Sequence, residues 1–198
     1  SDEEVGSDAS RELIEQRAAA CGAVLVLEPS ADGGALKIAR KGTGTFEVVV
    51  HGKASHAGLE PEKGVNALVA AAELITHIAT FGDLSTATTV TPTVAVAGTV
   101  DNVVPAEARV KVDVRVEQPG EKERLEGLFA SLVTSVPGAT IEVLGGINRP
   151  PMPATASATL FPVAVAAAAA AGLGEVRGVG VGGGSDGNFT AARGVPTL

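Results

Sequence analysis

The chain has 198 residues, of which 45% are hydrophobic and 19% charged, and its net charge is −8. The apolar content suffices for a real core and excludes a disordered tail, while the acidic balance leaves no electrostatic footprint for nucleic acid or an anionic membrane. With no Trp, no Tyr and five Phe there is no stacking platform for single-stranded bases, and one cysteine, Cys21, excludes a disulfide framework or a cysteine-built zinc cage. No stretch runs to about 18 apolar residues, so no membrane span is expected. The acidic start Ser1-Asp2-Glu3-Glu4 is unlike the basic opening of a secretion signal, which leaves a cytoplasmic location as the expectation. The absence of an initiator Met and the ending Val195-Pro196-Thr197-Leu198, which reads as mid-strand, suggest a piece of a longer chain.

Asp8 to Ala20 predicts a helix with Ser7 or Asp8 as its cap and Leu13, Ile14 and Arg17 on one face. Ala23 to Leu27 is a continuous apolar run, the pattern of a strand buried on both faces; Glu28-Pro29 closes it and Ser30 to Gly34 forms a turn. From about Ala39 the pattern changes. Thr45 to Val50 predicts a strand, and Val65 to Phe81 an amphipathic helix with Leu68, Ala71, Ala72, Ile75 and Ile78 or Ala79 inward. Thr88 to Thr99 predicts a strand that Pro92 confines to an edge or a bulge. Arg109 to Val116 alternates strictly, with Val110, Val112, Val114 and Val116 on one face. Glu121 to Ser135 predicts a second helix with Leu125, Leu128, Phe129 and Leu132 inward, and Thr140 to Leu144 a last strand. This βαββαβ order is the ferredoxin-like split unit, with two helices covering one face of an antiparallel sheet.

After Asn148 the pattern shifts again. Arg149 to Pro153 reads as a proline-rich connector, Thr159 to Ala171 as an alanine-rich helix and Val176 to Val181 as a strand. Gly182 to Asp186 is a turn into a helix, Gly187 to Arg193, and a buried strand starts at Val195. These flanks share one β-turn-α-β grammar with the first 35 or so residues. The chain is therefore expected to be α+β: a ferredoxin-like domain, 39–148, inserted between two fragments, 1–38 and 149–198, of an α/β domain.

Several residue groups could carry chemistry. Glu3 and Glu4 are adjacent carboxylates that could serve a metal and a water, or simply favour the start of a helix. Glu28 ends a strand, where ligands of open α/β sheets gather. In Lys53-Ala54-Ser55-His56-Ala57-Gly58 a histidine stands among small residues that let a ligand or partner approach. His51 and His77 read as structural. Asn102 lies in a hairpin and suits the turn itself. Arg115 on a polar strand face could fork onto a substrate carboxylate or face solvent. Gly182 to Asp186 could cradle an anion, yet no Gly-Lys-Ser/Thr follows, so it is not a nucleotide phosphate loop.

Taken in order, SDEEVGS (1–7), LEP (27–29), GKASHAG (52–58), GVNAL (64–68), DNVVPA (101–106), DVRV (113–116) and GGGSDGNF (182–189) resemble an M20-like zinc metallopeptidase family. It includes glutamate carboxypeptidases, acetylornithine deacetylase and succinyl-diaminopimelate desuccinylase. The motifs span essentially the whole chain, and Glu28 before Pro resembles the glutamate-carboxypeptidase branch. The resemblance implies a lid and dimerisation domain inserted in a catalytic domain that binds two zinc ions per subunit. It implies Glu3 as the general base, and Glu4 and Glu28 as ligands of one zinc each. It implies His56 as a lid histidine that reaches the partner's site in a homodimer and stabilises the oxyanion. Asn102 and Arg115 would bind substrate and its carboxylate, and Gly184 and Ser185 would approach it. Zinc would lower the pKa of a bound water and polarise the scissile carbonyl, the carboxylate would relay the proton, and a donor would meet the oxyanion.

The remaining ligands of such a centre, two histidines and a bridging Asp, belong to segments outside this chain. This chain by itself is expected neither to hold two zinc ions nor to hydrolyse substrate. The implied substrate is a carboxylate-bearing peptide or N-acyl amino acid. The alternative reading is a non-catalytic ferredoxin-like module for dimerisation or small-molecule binding, which gives no reason for Glu3-Glu4, Glu28 and His56 to occur in this order.

Overall fold

The computed structural model describes residues 2–118 and 120–198. The chain divides into two compact units: Ser1–Thr43, Arg115–Pro119 and Asn148–Leu198 form one, and Gly44–Val114 with Gly120–Ile147 form the other.

The second unit is built on four strands, β2 (Gly42–His51), β3 (Thr89–Ala97), β4 (Glu107–Val116) and β5 (Thr140–Arg149), in the order β3-β4-β2-β5. Numbered within the split unit, that is second, third, first, fourth, which read from the β5 edge is the 4-1-3-2 ferredoxin-like arrangement. The alternation in β4 acts as expected: Val110, Val112, Val114 and Val116 are all buried. The same unit contains α2 (Ala67–Ile78) and α3 (Glu121–Ala130); in its core Phe46 stacks on Phe129 at 3.9 Å and Phe81 meets the same ring edge-on at 5.5 Å.

Asn66 caps α2 by accepting hydrogen bonds from the Leu68 and Val69 amides at 3.0 and 3.2 Å. The buried stripe of α2 is Ala67, Ala70, Ala71, Leu74 and Ile78, rotated from the expected one, so Leu68 is exposed. The run of alanines permits either face, and close approach to the sheet selects the smaller side chains. In α3, Leu125 and Phe129 are buried as expected, and the helix ends at Ala130, five residues early.

Pro92 lies in β3, an edge strand, as its missing N–H requires. β5 is longer than expected because it runs through Gly145 at φ +80° and Gly146 at φ +150°, conformations that only glycine adopts without strain. It passes so close to β2 that a Cβ on Gly44 would stand 2.4 Å from the Gly146 carbonyl oxygen.

The buried Glu121 carboxylate pairs within α3 with the half-buried Arg124 and, through threonine hydroxyls, ties the helix to the turn before β3. Arg124 donates to both oxygens of Glu121 at 2.9 and 2.7 Å, and the Thr88 hydroxyl donates to Glu121 at 2.6 Å. Arg124 holds the Glu121 carboxyl down at about 2, with burial opposing and the two threonine hydroxyls of Thr88 and Thr86 assisting.

The first unit contains α1 (Arg11–Ala19), α4 (Leu160–Ala170), α5 (Gly187–Ala192) and a two-stranded parallel sheet of β1 (Leu36–Arg40) and β6 (Gly178–Val181). β1 was not marked by the sequence, because Lys37 and Arg40 interrupt its apolar pattern. α1 starts three residues later than expected: the Asp2 carboxylate accepts from the Ala9 and Ser10 amides, and Leu13 is exposed while Ala18 is buried. The strand expected at 23–27 is reduced to one parallel bridge, Val24 to Thr197. Its residues are paired on one side by 196–198, and Leu27 is 95% exposed. α4 is apolar around its whole circumference, yet only Ala168 is buried. No helix among the described residues is long and apolar enough to cross a membrane.

Candidate active-site residues

In the first unit the structure brings Glu3, Glu4 and Glu28 into one electrostatic neighbourhood, though not by the route expected. Glu3 and Glu4 sit on a single 3-10 turn, Glu3–Val5, rather than at a strand tip. Glu4 is exposed and Glu3 half-buried. Desolvation pushes the Glu3 carboxyl above its ordinary range; Arg149 pulls it down, and Asp186, Glu4 and Glu28 push it further up. A carboxyl raised in this way holds a proton more readily than an ordinary glutamate, which favours a role in accepting and returning one.

Arg149 is the hub of this cluster. It is 8% exposed, and its Nη2 donates to the Glu3 carbonyl oxygen at 2.8 Å and to the Ser7 hydroxyl at 2.9 Å. The same nitrogen lies 3.3 Å from Glu3 Oε1 and 3.4 Å from Asp186 Oδ1. A second buried arginine, Arg40, serves Glu28: Nη2 is 2.5 Å from Glu28 Oε2, and Nη1 donates to the carbonyls of Gly183 and Gly184 at 3.3 and 3.4 Å. Lys37 adds a longer contact to Glu28 at 3.7 Å. Neither arginine stood out in the sequence. What could have marked them is a cation set among apolar or proline residues, at Ile38-Ala39-Arg40 and Arg149-Pro150-Pro151, in a chain with only 15 Lys and Arg.

The glycine-rich turn belongs to the same cluster. Arg115 donates to the Gly182 carbonyl at 3.4 Å. A Cβ on Gly184 would meet Thr43 at 2.9 Å, so the backbone is closely packed there. Ser185, expected with Gly184 in a loop that approaches the substrate, turns its side chain inward. Ser185 is fully buried, its hydroxyl accepts from the Gly187 amide at 3.2 Å, and its own amide donates to Asn188 at 2.9 Å. Its hydroxyl organises the turn.

The donor set does not by itself fit a zinc site. A catalytic zinc takes at least three protein ligands, whereas Glu4 and Glu28 offer one carboxylate each and Glu28 is already paired with two cations. Among the described residues no group of three or more His, Cys, Asp or Glu is placed to hold a metal ion. Beside Glu28 opens a cavity of about 250 Å³, lined mainly by Leu25, Leu27, Leu36, Met152 and Leu198.

In the second unit, His56 and Asn102 are brought together. The Ala57 amide donates to the Asn102 carbonyl at 2.9 Å, and His56 bridges to Val103. The Gly58 amide donates to His56 Nδ1 at 3.1 Å, which assigns the proton to Nε2 and leaves that N–H as the donor of an exposed ring. A groove of about 490 Å³ runs beside these loops, between Ala57, Leu68, Gly98 and Val103. His51 contacts Glu142 at 3.3 Å, and His77, though exposed, packs edge-on against Phe81.

Comparison with known proteins gives these residues a family. The model of the peptidase dimerisation domain of M20 peptidases matches residues 38–140. Carboxypeptidase G2 of Pseudomonas sp. (strain RS-16) is 36% identical over the whole of this chain, which covers 48% of that protein. The aminopeptidase PepT of Bacillus cereus has the same fold, with a TM-score of 0.71 and 25% identity over 99% of this chain and 52% of its own. The M20 metallo-carboxypeptidase Sso-CP2 of Sulfolobus solfataricus is a further structural likeness, with a TM-score of 0.73 at 14% identity, covering 99% of this chain and 59% of its own. The chain thus spans about half the length of the relatives it matches, and it belongs to the M20 peptidase family, carrying that family's dimerisation domain.

Proposed function

We propose that the protein to which this chain belongs is a zinc-dependent amidohydrolase of the carboxypeptidase or deacylase type, acting on carboxylate-bearing peptides or N-acyl amino acids. Residues 39–148 are its lid and dimerisation domain, and 1–38 and 149–198 are parts of its catalytic domain. The observation that carries this reading is Glu3: a half-buried carboxyl, raised above its usual range, with Glu4 and Glu28 close enough to act on it. Similarity to carboxypeptidase G2 along the entire chain supports it.

Glu3 takes a proton from the attacking water and returns it to the leaving amine. The Nε2–H of the His56 ring, whose Nδ1 accepts from the Gly58 amide, donates to the oxyanion in the partner subunit's site. Asn102 and Arg115 hold the substrate and its carboxylate, and the backbone of Gly184 and Ser185 lines its approach. Glu4 and Glu28 would each supply one ligand to a two-zinc centre completed by donors beyond those present here, and the metal would lower the pKa of a bound water and polarise the scissile carbonyl.

The homodimer uses the β3 edge. Val94 and Val96 of β3 and Leu68 and Val69 of α2 are all exposed on this unit, an apolar surface that a second copy would cover.

The test is turnover of N-acyl amino acids by the full-length protein. Glu3→Gln is expected to lower kcat by about 10²–10⁴, with the variant still folded. Undiminished turnover in that variant overturns the assignment of the base.

A further inference from the structure

The turn that carries Glu3 is held at a cost to stability that its surroundings do not require. Ser7 is a non-glycine residue at φ +60° and is completely buried, a conformation that a residue with a side chain adopts only where it is imposed. Gly6, at φ +110°, is so closely approached that a Cβ there would stand 2.9 Å from the Asn148 amide nitrogen, which itself donates to the Gly6 carbonyl. The Arg149 Nε is buried without a hydrogen-bond partner. An orphaned donor on a buried cation is a penalty, and an apolar residue of similar shape would avoid it.

What this arrangement does deliver is position. The two hydrogens of Arg149 Nη2 meet the two nearest acceptors, the Glu3 carbonyl and the Ser7 hydroxyl, one from each end of the turn. The Ser7 hydroxyl donates to Asp186 Oδ1 at 2.5 Å, and the Phe189 ring backs the guanidinium at 5.4 Å from its centroid. The turn is thereby fastened to the glycine-rich turn and to α5.

We propose that Arg149 is a positioning residue: with Asp186 and Ser7 it fixes the backbone of the Glu3–Ser7 turn, and so the place of the Glu3 carboxylate. This rests on the reading of Glu3 as the base.

The experiment uses the full-length protein with its metal. Arg149→Lys keeps the charge but is about one bond shorter, so its ammonium falls short of the place Nη2 holds between the Glu3 carbonyl and the Ser7 hydroxyl. It is expected to lower kcat about 10- to 100-fold, the scale of a misplaced group, with KM changed less than about twofold. Added guanidinium is expected to restore part of the kcat of Arg149→Ala. Independently of activity, amide exchange at Gly6 and Ser7 is expected to quicken about tenfold or more in Arg149→Lys, while Val112 and Val114 keep their protection. Asp186→Asn, a milder change, is expected to move the same amides and kcat in the same direction and serves if the Arg149 variants fold poorly.

Unchanged exchange at Gly6 and Ser7, or unchanged kcat beside quickened exchange, overturns the proposal. So does a loss of kcat that follows the melting temperature and is not rescued by guanidinium. A separate result, full turnover in Glu3→Gln or none in the wild type, defeats the reading of the base; anchoring of the turn is then decided by exchange alone.

Discussion

The two units of this chain are held together by opposite means. In the second, four strands and two helices enclose a dry core in which Val48, Val112, Val114 and Leu125 have no exposure at all. In the first, two paired strands and short helices leave Leu25, Leu27, Val163 and Leu173 in the open, while the buried positions include Arg40, Arg149, Ser7, Ser185 and Asn188. Parallel strands and all-round apolar helices are ordinarily covered on both faces. The difference teaches that the second unit is a complete layer, whereas the first is ordered by polar clamps around a set of carboxylates.

The largest expected effect lies in the core of the second unit. Phe129→Ala removes the ring that both Phe46 and Phe81 touch and is expected to cost about 3–5 kcal/mol in denaturant unfolding. An effect under 1 kcal/mol would break the contrast. Gly44→Ala pushes a methyl group against the Gly146 carbonyl and is expected to cost about 1–3 kcal/mol by the same measurement.

Acid should weaken the second unit in a defined window. The folded Glu121 carboxyl lies at about 2 against an ordinary 4.5, so its pair with Arg124 contributes fully above pH 4.5, and that contribution is lost as pH falls towards 2. Melting temperatures measured from pH 5 to 2 should fall less steeply in Glu121→Gln than in the wild type. The smallest effect is expected on the open surface of the first unit: Leu27→Ser should change the stability of this chain by less than about 0.5 kcal/mol. A larger loss would mean that this side chain packs more tightly than its exposure indicates.

Much of the second unit was legible because period and burial coincide there. The alternation in β4 dictates one buried face, and Pro92 confines β3 to the edge. Where composition permitted two answers, as among the alanines of α2, pattern alone found Ala71 and Ile78 but placed the rest of the stripe one position too far along, and packing decided. In the first unit the glycine-rich turn and α5 were readable from local turn chemistry. β1 was not, since Arg40 answers both to Glu28, 12 residues back, and to turn carbonyls 143 and 144 residues on. The arginine clamps escaped for the same reason: a cation in sequence carries no mark of the carboxylate more than a hundred residues away that it will meet, as Arg149 meets Glu3.

Pro92 has an effect outside its own chain. On an edge strand the nitrogen without hydrogen faces outward, so the outer rim of β3 offers a neighbouring strand a broken comb with one tooth missing. An antiparallel neighbour can zip only along the stretch beyond it, through Val94 and Val96. That shortens the seam and permits few alignments, which discourages open-ended stacking of sheets while still allowing a closed pair.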